Sequence, residues 1–129
     1  MGLTPLEGIV MGTRSGDVDP AVLEYIMDNT GMDIHQMLNV LNKKSGYAGL
    51  SVSSDMRDVK TAAANGDEQA QTAVDIWTYR LQKYIGSYMA AVQGADAIVF
   101  TAGIGENDCE AIEEVIKGMD ITLSPKVMG

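Results

Sequence analysis

The stretch Val99-Phe100-Thr101-Ala102-Gly103-Ile104-Gly105-Glu106-Asn107 constrains the fold most, because an apolar run stops there in a glycine-spaced turn and a helical pattern follows. Ala97 to Phe100 is apolar and partly β-branched, which suits a strand buried on both faces within a larger sheet. Asn107 or Asp108 is placed to cap the next helix, which carries Ile112, Val115 and Ile116 and closes at Gly118. Gly103 and Gly105 are expected to take φ > 0 and to let a ligand approach the backbone, with the helix N-terminus beyond them offering N–H groups to an anion. The spacing has neither the lysine of a Walker A loop nor the third glycine of a dinucleotide fingerprint, and Glu106 repels a bare phosphate. A nucleotide loop and an ordinary tight turn both remain open on spacing alone.

Upstream, Met1 to Met11 is mixed, with Leu6, Ile9, Val10 and Met11 as candidates for burial. Gly12-Thr13-Arg14-Ser15-Gly16-Asp17-Val18-Asp19-Pro20 is a loop, and Asp19-Pro20 is a helix start, with the carboxylate as N-cap and proline at the first helical position. That helix runs to about Asn29 with Val22, Leu23, Ile26 and Met27 as its stripe, and Gly31 ends it. Asp33 caps a second helix carrying Ile34, Met37, Leu38 and Leu41, and the two are expected to pack as a hairpin. Lys43 and Lys44 fall in its last turn, where the helix dipole favours cations, and His35 stands alone without further metal-ligand types nearby.

Between Ser45 and Ser54 glycine and serine dominate, and Leu50 and Val52 alternate as in a short extended piece. Asp55 caps a helix to Asn65, and Gly66 stops it. Asp67 then caps the longest helix, along which Ala70, Ala73, Val74, Trp77, Leu81, Tyr84, Ile85, Tyr88, Met89 and Val92 recur at spacings of three and four. Gly94 ends it, and Ile121-Thr122-Leu123 reads as a further short strand.

The chain of 129 residues is expected to form a single domain, with no linker or repeat to divide it. Helices outnumber strands, and the strand at Ala97–Phe100 has no obvious neighbours, so residues 1–129 read as a single partial domain of α/β class. Methionine, at nine residues, must share in the core because aromatic side chains are few. A formal charge of −9 argues against general affinity for nucleic acid or an anionic membrane. One cysteine, Cys109, excludes an internal disulfide, no apolar stretch is long enough to span a membrane, and no secretory signal pattern is present. The cytoplasm is the expected compartment.

Three segments together carry a resemblance that none carries alone: Met11-Gly12-Thr13-Arg14-Ser15-Gly16-Asp17-Val18-Asp19-Pro20, Ser53-Ser54-Asp55-Met56-Arg57-Asp58, and Phe100-Thr101-Ala102-Gly103-Ile104-Gly105-Glu106-Asn107. With Leu41-Asn42-Lys43-Lys44-Ser45-Gly46, Tyr79-Arg80 and Lys83-Tyr84-Ile85-Gly86 in the same order, nearly the whole chain resembles the acetate kinase family. That family belongs to the sugar kinase, Hsp70 and actin superfamily. The resemblance therefore implies a helix-rich portion of a ribonuclease-H-like C-terminal lobe, on the nucleotide side, in an enzyme that moves a phosphoryl group between ATP and acetate.

The resemblance implies roles residue by residue. Arg14 matches the family's active-site arginine, whose forked permanent charge meets a phosphoryl group spreading negative charge over its oxygens; an ion pair with Asp17 or Asp19 in its own loop is the structural alternative. Asp55, Met56 and Arg57 match the group lining the adenosine pocket, with Met56 where many relatives carry phenylalanine. Gly103, Ile104, Gly105 and Asn107 match the adenosine-side loop, whereas Glu106 has no role on this reading. ATP or ADP is the implied substrate and Mg²⁺ the implied ion, with its ligands mostly elsewhere and no metal ligand assigned here. A homodimer is implied for the full-length enzyme. The family's phosphate loop, second active-site arginine, active-site histidine and magnesium-linked glutamate have no counterpart in this sequence, so the isolated chain is expected to be inactive. Propionate kinase of the same family and a non-catalytic nucleotide-binding or interaction module are the alternatives.

Overall fold

A computed structural model describes residues 1–51 and 53–121. These residues form seven helices: α1 (Pro20–Thr30), α2 (Ile34–Lys43), α3 (Gly46–Leu50), α4 (Met56–Ala64), α5 (Glu68–Ala91), α6 (Ala102–Asn107) and α7 (Cys109–Ile116). The chain divides into two compact units, Met1–Arg80 and Leu81–Gly129, so α5 belongs partly to each.

The first unit begins with an irregular segment in which Val10 is buried, followed by the loop that leads to α1. Asp19 caps α1 as its sequence dictates, accepting from the Ala21 N–H at 2.9 Å with Pro20 opening the helix, and the Gly31 N–H closes it on the Met27 carbonyl at 2.8 Å. Asp33 and Gln36 form a reciprocal capping box on α2, each side chain accepting the other's backbone N–H at 2.8 and 2.9 Å. α1 and α2 pack on each other as expected. Their stripes are only partly covered, however: Met37 and Leu41 are buried, while Val22, Ile34 and Leu38 remain exposed. Lys43 lies in the last turn of α2, and His35 is exposed.

The segment after α2 departs from expectation, since residues 46–50 coil into α3 and Leu50 is therefore helical; Val52 lies outside the described residues. The cause is the loop that precedes α1, which lies across the α2–α3 junction and supplies partners to both helix ends. The Ser15 N–H donates to the Leu41 carbonyl (2.9 Å) and the Thr13 hydroxyl to the Asn42 carbonyl (2.9 Å), at the C-terminal end of α2. In return the Ser45, Tyr47 and Ala48 N–H groups donate to the carbonyls of Thr13, Met11 and Gly12 at 3.0, 3.0 and 2.9 Å. Helix termini leave such groups without intrahelical partners, and here one loop satisfies both sets. Gly46 makes this possible: its φ is +63°, and a Cβ there would overlap the Met11 carbonyl oxygen.

Asp55 and Asp67 cap α4 and α5, and α4 stops at Asn65 as expected. Met56 and Val59 of α4 and Ala70, Ala73 and Trp77 of α5 are buried with Tyr47, so methionine does fill part of the core.

In the second unit the expectation of a strand fails. Residues 97–100 form no strand and no partner strand exists among the described residues; Val99 is 81 % exposed. A strand is defined by ladder hydrogen bonds, and an apolar β-branched run without a neighbouring edge has none to make. The helix-rich part of the α/β expectation stands, and its strands are missing from the described residues. Of Ile121-Thr122-Leu123, Ile121 is irregular and the other two lie outside the described residues. The apolar stripe of α5 likewise continues past Trp77 without full cover, for Tyr88 and Val92 are exposed. Asp108 caps α7, accepting from the Ala111 N–H at 3.1 Å, and Ile112, Val115 and Ile116 are buried. The Gln82 side chain donates to the Glu114 carbonyl at 3.2 Å, tying α5 to α7 within this unit. No helix of the described residues is long and apolar enough to cross a membrane.

Two glycine substitutions separate these constraints. Gly46→Ala is expected to destabilise the chain by roughly 2 kcal/mol or more, through positive φ and the overlap with Met11. Gly86→Ala, in α5 with open space around a Cβ, is expected to stabilise it by about 0.5–1 kcal/mol. Urea unfolding followed by circular dichroism reads both; equal shifts would show that the α2–α3 junction is not held as described.

Candidate functional site

Arg14 sits at the centre of the loop that bridges α2 and α3, and the loop is closed on itself at two levels. The Met11 N–H donates to the Arg14 carbonyl at 3.1 Å, forming the inner turn. Outside it, Gly8 and Asp17 exchange two bonds: the Asp17 N–H to the Gly8 carbonyl (2.9 Å) and the Gly8 N–H to Asp17 Oδ1 (2.8 Å). Gly16 lies between, with φ +69°, and a Cβ on it would stand 2.6 Å from the Gly8 carbonyl oxygen. With the Arg14 carbonyl engaged in that turn, the direction of the guanidinium is left to the side-chain rotamer. Its described contact is Nη1 to Met11 Sδ at 3.6 Å, a weak acceptor for so strong a donor. The described bonds of the neighbouring carboxylates run to backbone, Asp17 to Gly8 and Asp19 to Ala21.

The second sequence-predicted group lies close by. Gly12 of the same loop approaches Ser54 so closely that a Cβ would be 2.6 Å from the Ser54 carbonyl oxygen, so the Arg14 segment and the Asp55–Arg57 segment meet within the first unit. Asp55 accepts from the Arg57 N–H (2.9 Å) as the cap of α4, and also from Arg57 Nε (3.0 Å) and Nη2 (2.5 Å) in a forked ion pair. These hydrogen bonds from Arg57 hold the Asp55 carboxyl down at about 2, against an ordinary 3.8, and raise the arginine in turn. The pair is open to solvent, with the Arg57 side chain 88 % exposed. Met56 points the other way and is buried at 5 %. Ser53 supports the turn: its hydroxyl accepts from the Asp55 N–H at 3.0 Å and donates to Asp58 Oδ2 at 2.9 Å.

The third group, Gly103 to Asn107, belongs to the second unit and takes a form the spacing does not suggest. Residues 102–107 are helical, and the residue with positive φ is Ala102 at +62°, whereas Gly103 and Gly105 do not adopt it. Side chains draw the segment into a helix, since Glu106 Oε1 accepts from the Ala102 N–H at 3.1 Å and Asn107 Nδ2 donates to the Gly103 carbonyl at 2.9 Å. Glu106 thereby acquires a local role. The helix N-terminus that the sequence offered to an anion is that of α7, where the Asp108 carboxylate takes the Ala111 N–H at 3.1 Å. Gly105 is needed for its size, because a Cβ would lie 2.9 Å from the Phe100 carbonyl carbon. Gly103 is exposed with open space on its side-chain face, and Ile104 is half-buried.

Four contributors had no individual role in the sequence reading, although Thr13, Gly46 and Arg80 lie in the segments that carry the resemblance: the Thr13 hydroxyl, Gly46, Tyr47 and Arg80. Tyr47 is buried with its hydroxyl 3.4 Å from the Val10 carbonyl, and burial pushes its phenol up. Arg80 Nη2 donates to the Asp17 carbonyl at 2.6 Å from α5. A glycine directly after the polar end of α2 was the one visible signal, since long-range bonds such as that of Arg80 leave no periodic trace. Among the described residues no group of three or more histidine, cysteine, aspartate or glutamate side chains is arranged to hold a metal ion.

Comparison with known proteins identifies the family. The model of the acetokinase family matches residues 1–123. The acetate kinase of Acetivibrio thermocellus is 58% identical over 121 residues, and that of Bacillus subtilis 54% identical over 121, in each case 93% of this chain. Among solved structures, the acetate kinase of Porphyromonas gingivalis superposes with a TM-score of 0.89 at 47% identity, covering 92% of this chain and 30% of that one. A propionate kinase of Francisella tularensis gives a TM-score of 0.86, also at 47% identity, covering 90% of this chain and 30% of that one. The chain spans about 30% of the length of the curated relatives it matches. With a family match across nearly its whole length, the chain belongs to the acetokinase family.

Proposed function

We propose that this chain is the helix-rich part of the C-terminal, ribonuclease-H-like lobe of a cytoplasmic, homodimeric acetate kinase, in which it contributes to phosphoryl transfer from ATP to acetate. In that reaction a carboxylate oxygen of acetate attacks the γ-phosphorus as the bond to the β–γ bridging oxygen breaks, giving acetyl phosphate and ADP, and the reverse reaction uses the same groups. The observation that carries the reading is Arg14: its loop is held by backbone bonds from two helix ends and its own double closure, while its guanidinium meets only a thioether among its described side-chain contacts. A permanently charged fork carried on a fixed loop suits a transition state whose charge spreads over phosphoryl oxygens.

On this reading Asp55 and Arg57 serve the adenosine side, with Met56 packed beneath them, and Gly103, Ile104, Gly105 and Asn107 are assigned to the adenosine-side loop. The protein ligands of the Mg²⁺ that accompanies ATP are assigned mostly to the remainder of the enzyme. The isolated chain should form no acyl phosphate from acetate, ATP and Mg²⁺ above background, because groups that act as a unit fail together when most are absent. Propionate is the second candidate acceptor, supported by the likeness to the Francisella tularensis propionate kinase. Comparing kcat/KM for acetate and propionate in the complete enzyme separates the two.

Kinetics of the complete enzyme test the assignment. Arg14→Ala is expected to lower kcat roughly a hundredfold, on the order of 3 kcal/mol, with little change in the KM for ATP. Gly103→Ala should raise the KM for ATP with kcat retained: the structure has room for the methyl group, so the added Cβ obstructs the nucleotide and not the fold. An Arg14→Ala enzyme with full turnover contradicts the first assignment, and an unchanged ATP dependence in Gly103→Ala the second. The Asp55–Arg57 pair stays ionised at physiological pH; its contribution is fully present above about pH 4 and is lost as the pH falls towards 2. A carbon-detected titration should therefore find the Asp55 carboxyl ionising near 2 and returning towards 3.8 in Arg57→Ala.

A further inference from the structure

We infer that Arg80 is a positioning residue for Arg14, acting from α5 through the Asp17 carbonyl. The inference rests on the reading of Arg14 given above. Asp17 is the point at which the Arg14 loop closes, since its N–H and its carboxylate are both bonded to Gly8. Its remaining backbone group, the carbonyl, accepts from Arg80 Nη2 at 2.6 Å, across 63 residues of sequence. A charged donor at that distance makes a stronger bond than the neutral ones elsewhere in the loop. It joins the loop's closure directly to α5.

The phase of α5 explains why this donor arrives there. Ala70, Ala73, Trp77 and Arg80 follow at helical spacing on one face, and the first three are buried. Burial of that face fixes the rotation of the helix, and one turn beyond Trp77 the same face carries Arg80 to Asp17. The loop is thus held from three directions: α2 and α3 grip residues 11–15, Gly8 grips Asp17, and α5 grips Asp17 from outside. Loss of the Arg80 bond leaves the helix-end contacts intact but loosens the segment that leads out of Arg14 through Gly16, which is then held at Asp17 by the Gly8 bonds alone. Small displacement of a charge aimed at a transition state lowers turnover without altering adenosine contacts.

The test uses the complete enzyme with Arg14→Ala, Arg80→Met, Arg80→Lys and the Arg14→Ala/Arg80→Met double variant. Methionine keeps most of the apolar stem of Arg80 and removes its donors. Arg80→Met is expected to lower kcat about tenfold with the KM for ATP unchanged, Arg80→Lys to recover part of the loss, and the double variant to be no slower than Arg14→Ala alone. Amide hydrogen exchange at Gly8 and Asp17 should quicken in Arg80→Met while that at Tyr47 and Ala48 does not. Three results overturn the inference: unchanged kcat in Arg80→Met, losses that multiply in the double variant, or exchange that rises equally throughout the first unit. Full turnover in Arg14→Ala would instead remove the underlying reading of Arg14, and with it the inference.

Discussion

Helix ends that lack intrahelical partners are the constraint on which the first unit depends. The C-terminal carbonyls of α2 and the N-terminal N–H groups of α3 face the same loop, and five bonds from or to residues 11–15 satisfy them. Each is worth about 1 kcal/mol net on typical scales, yet leaving any one buried and unmade costs more than making it gains. That asymmetry lets an irregular segment hold one conformation. The Arg14 backbone inherits its position from this framework, and on the proposed function that is how a loop of small and polar residues carries its guanidinium to the phosphoryl group.

The same logic accounts for what the sequence revealed and what it hid. Caps were legible because they are local: Asp19 with Pro20, Asp33, Asp55, Asp67 and, of the two candidates Asn107 and Asp108, Asp108 each act within three residues of themselves. Trp77 and its small neighbours were legible as core from periodicity, and the family was legible from motif order. Hidden were one feature that depends on distant partners and one that depends on side chains bonding four residues back. The Ser45–Ser54 stretch read as glycine- and serine-rich with a short extended piece at Leu50 and Val52, and residues 46–50 are helical because the loop accepts the N–H groups at the start of α3. Gly103 and Gly105 read as a turn, and became helical because Glu106 and Asn107 bond back to Ala102 and Gly103.

The failed strand is informative in a different way. Ala97 to Phe100 has the composition of a sheet interior but stands without a ladder, and Val99, Tyr88 and Val92 present apolar surface to solvent. Val22, Ile34 and Leu38 do the same on α1 and α2. Apolar positions at correct helical spacing, left uncovered, are what a chain matching about 30% of its relatives' length would show if the remainder supplied the cover. On the proposed function, turnover requires that remainder as well, since one fixed arginine cannot by itself assemble a phosphoryl-transfer site.

The central claim is that the α2–α3 clamp presents Arg14 to the transferring phosphoryl group. A crystal structure of the complete enzyme with ADP, Mg²⁺, acetate and a trigonal metal-fluoride mimic of the phosphoryl group tests it most directly. The account predicts the bonds of residues 11–15 to Leu41, Asn42, Ser45, Tyr47 and Ala48 unchanged, with the Arg14 guanidinium turned from Met11 to within hydrogen-bond distance of the fluorides. A guanidinium still resting on the Met11 sulfur, with the mimic bound beyond its reach, would contradict it.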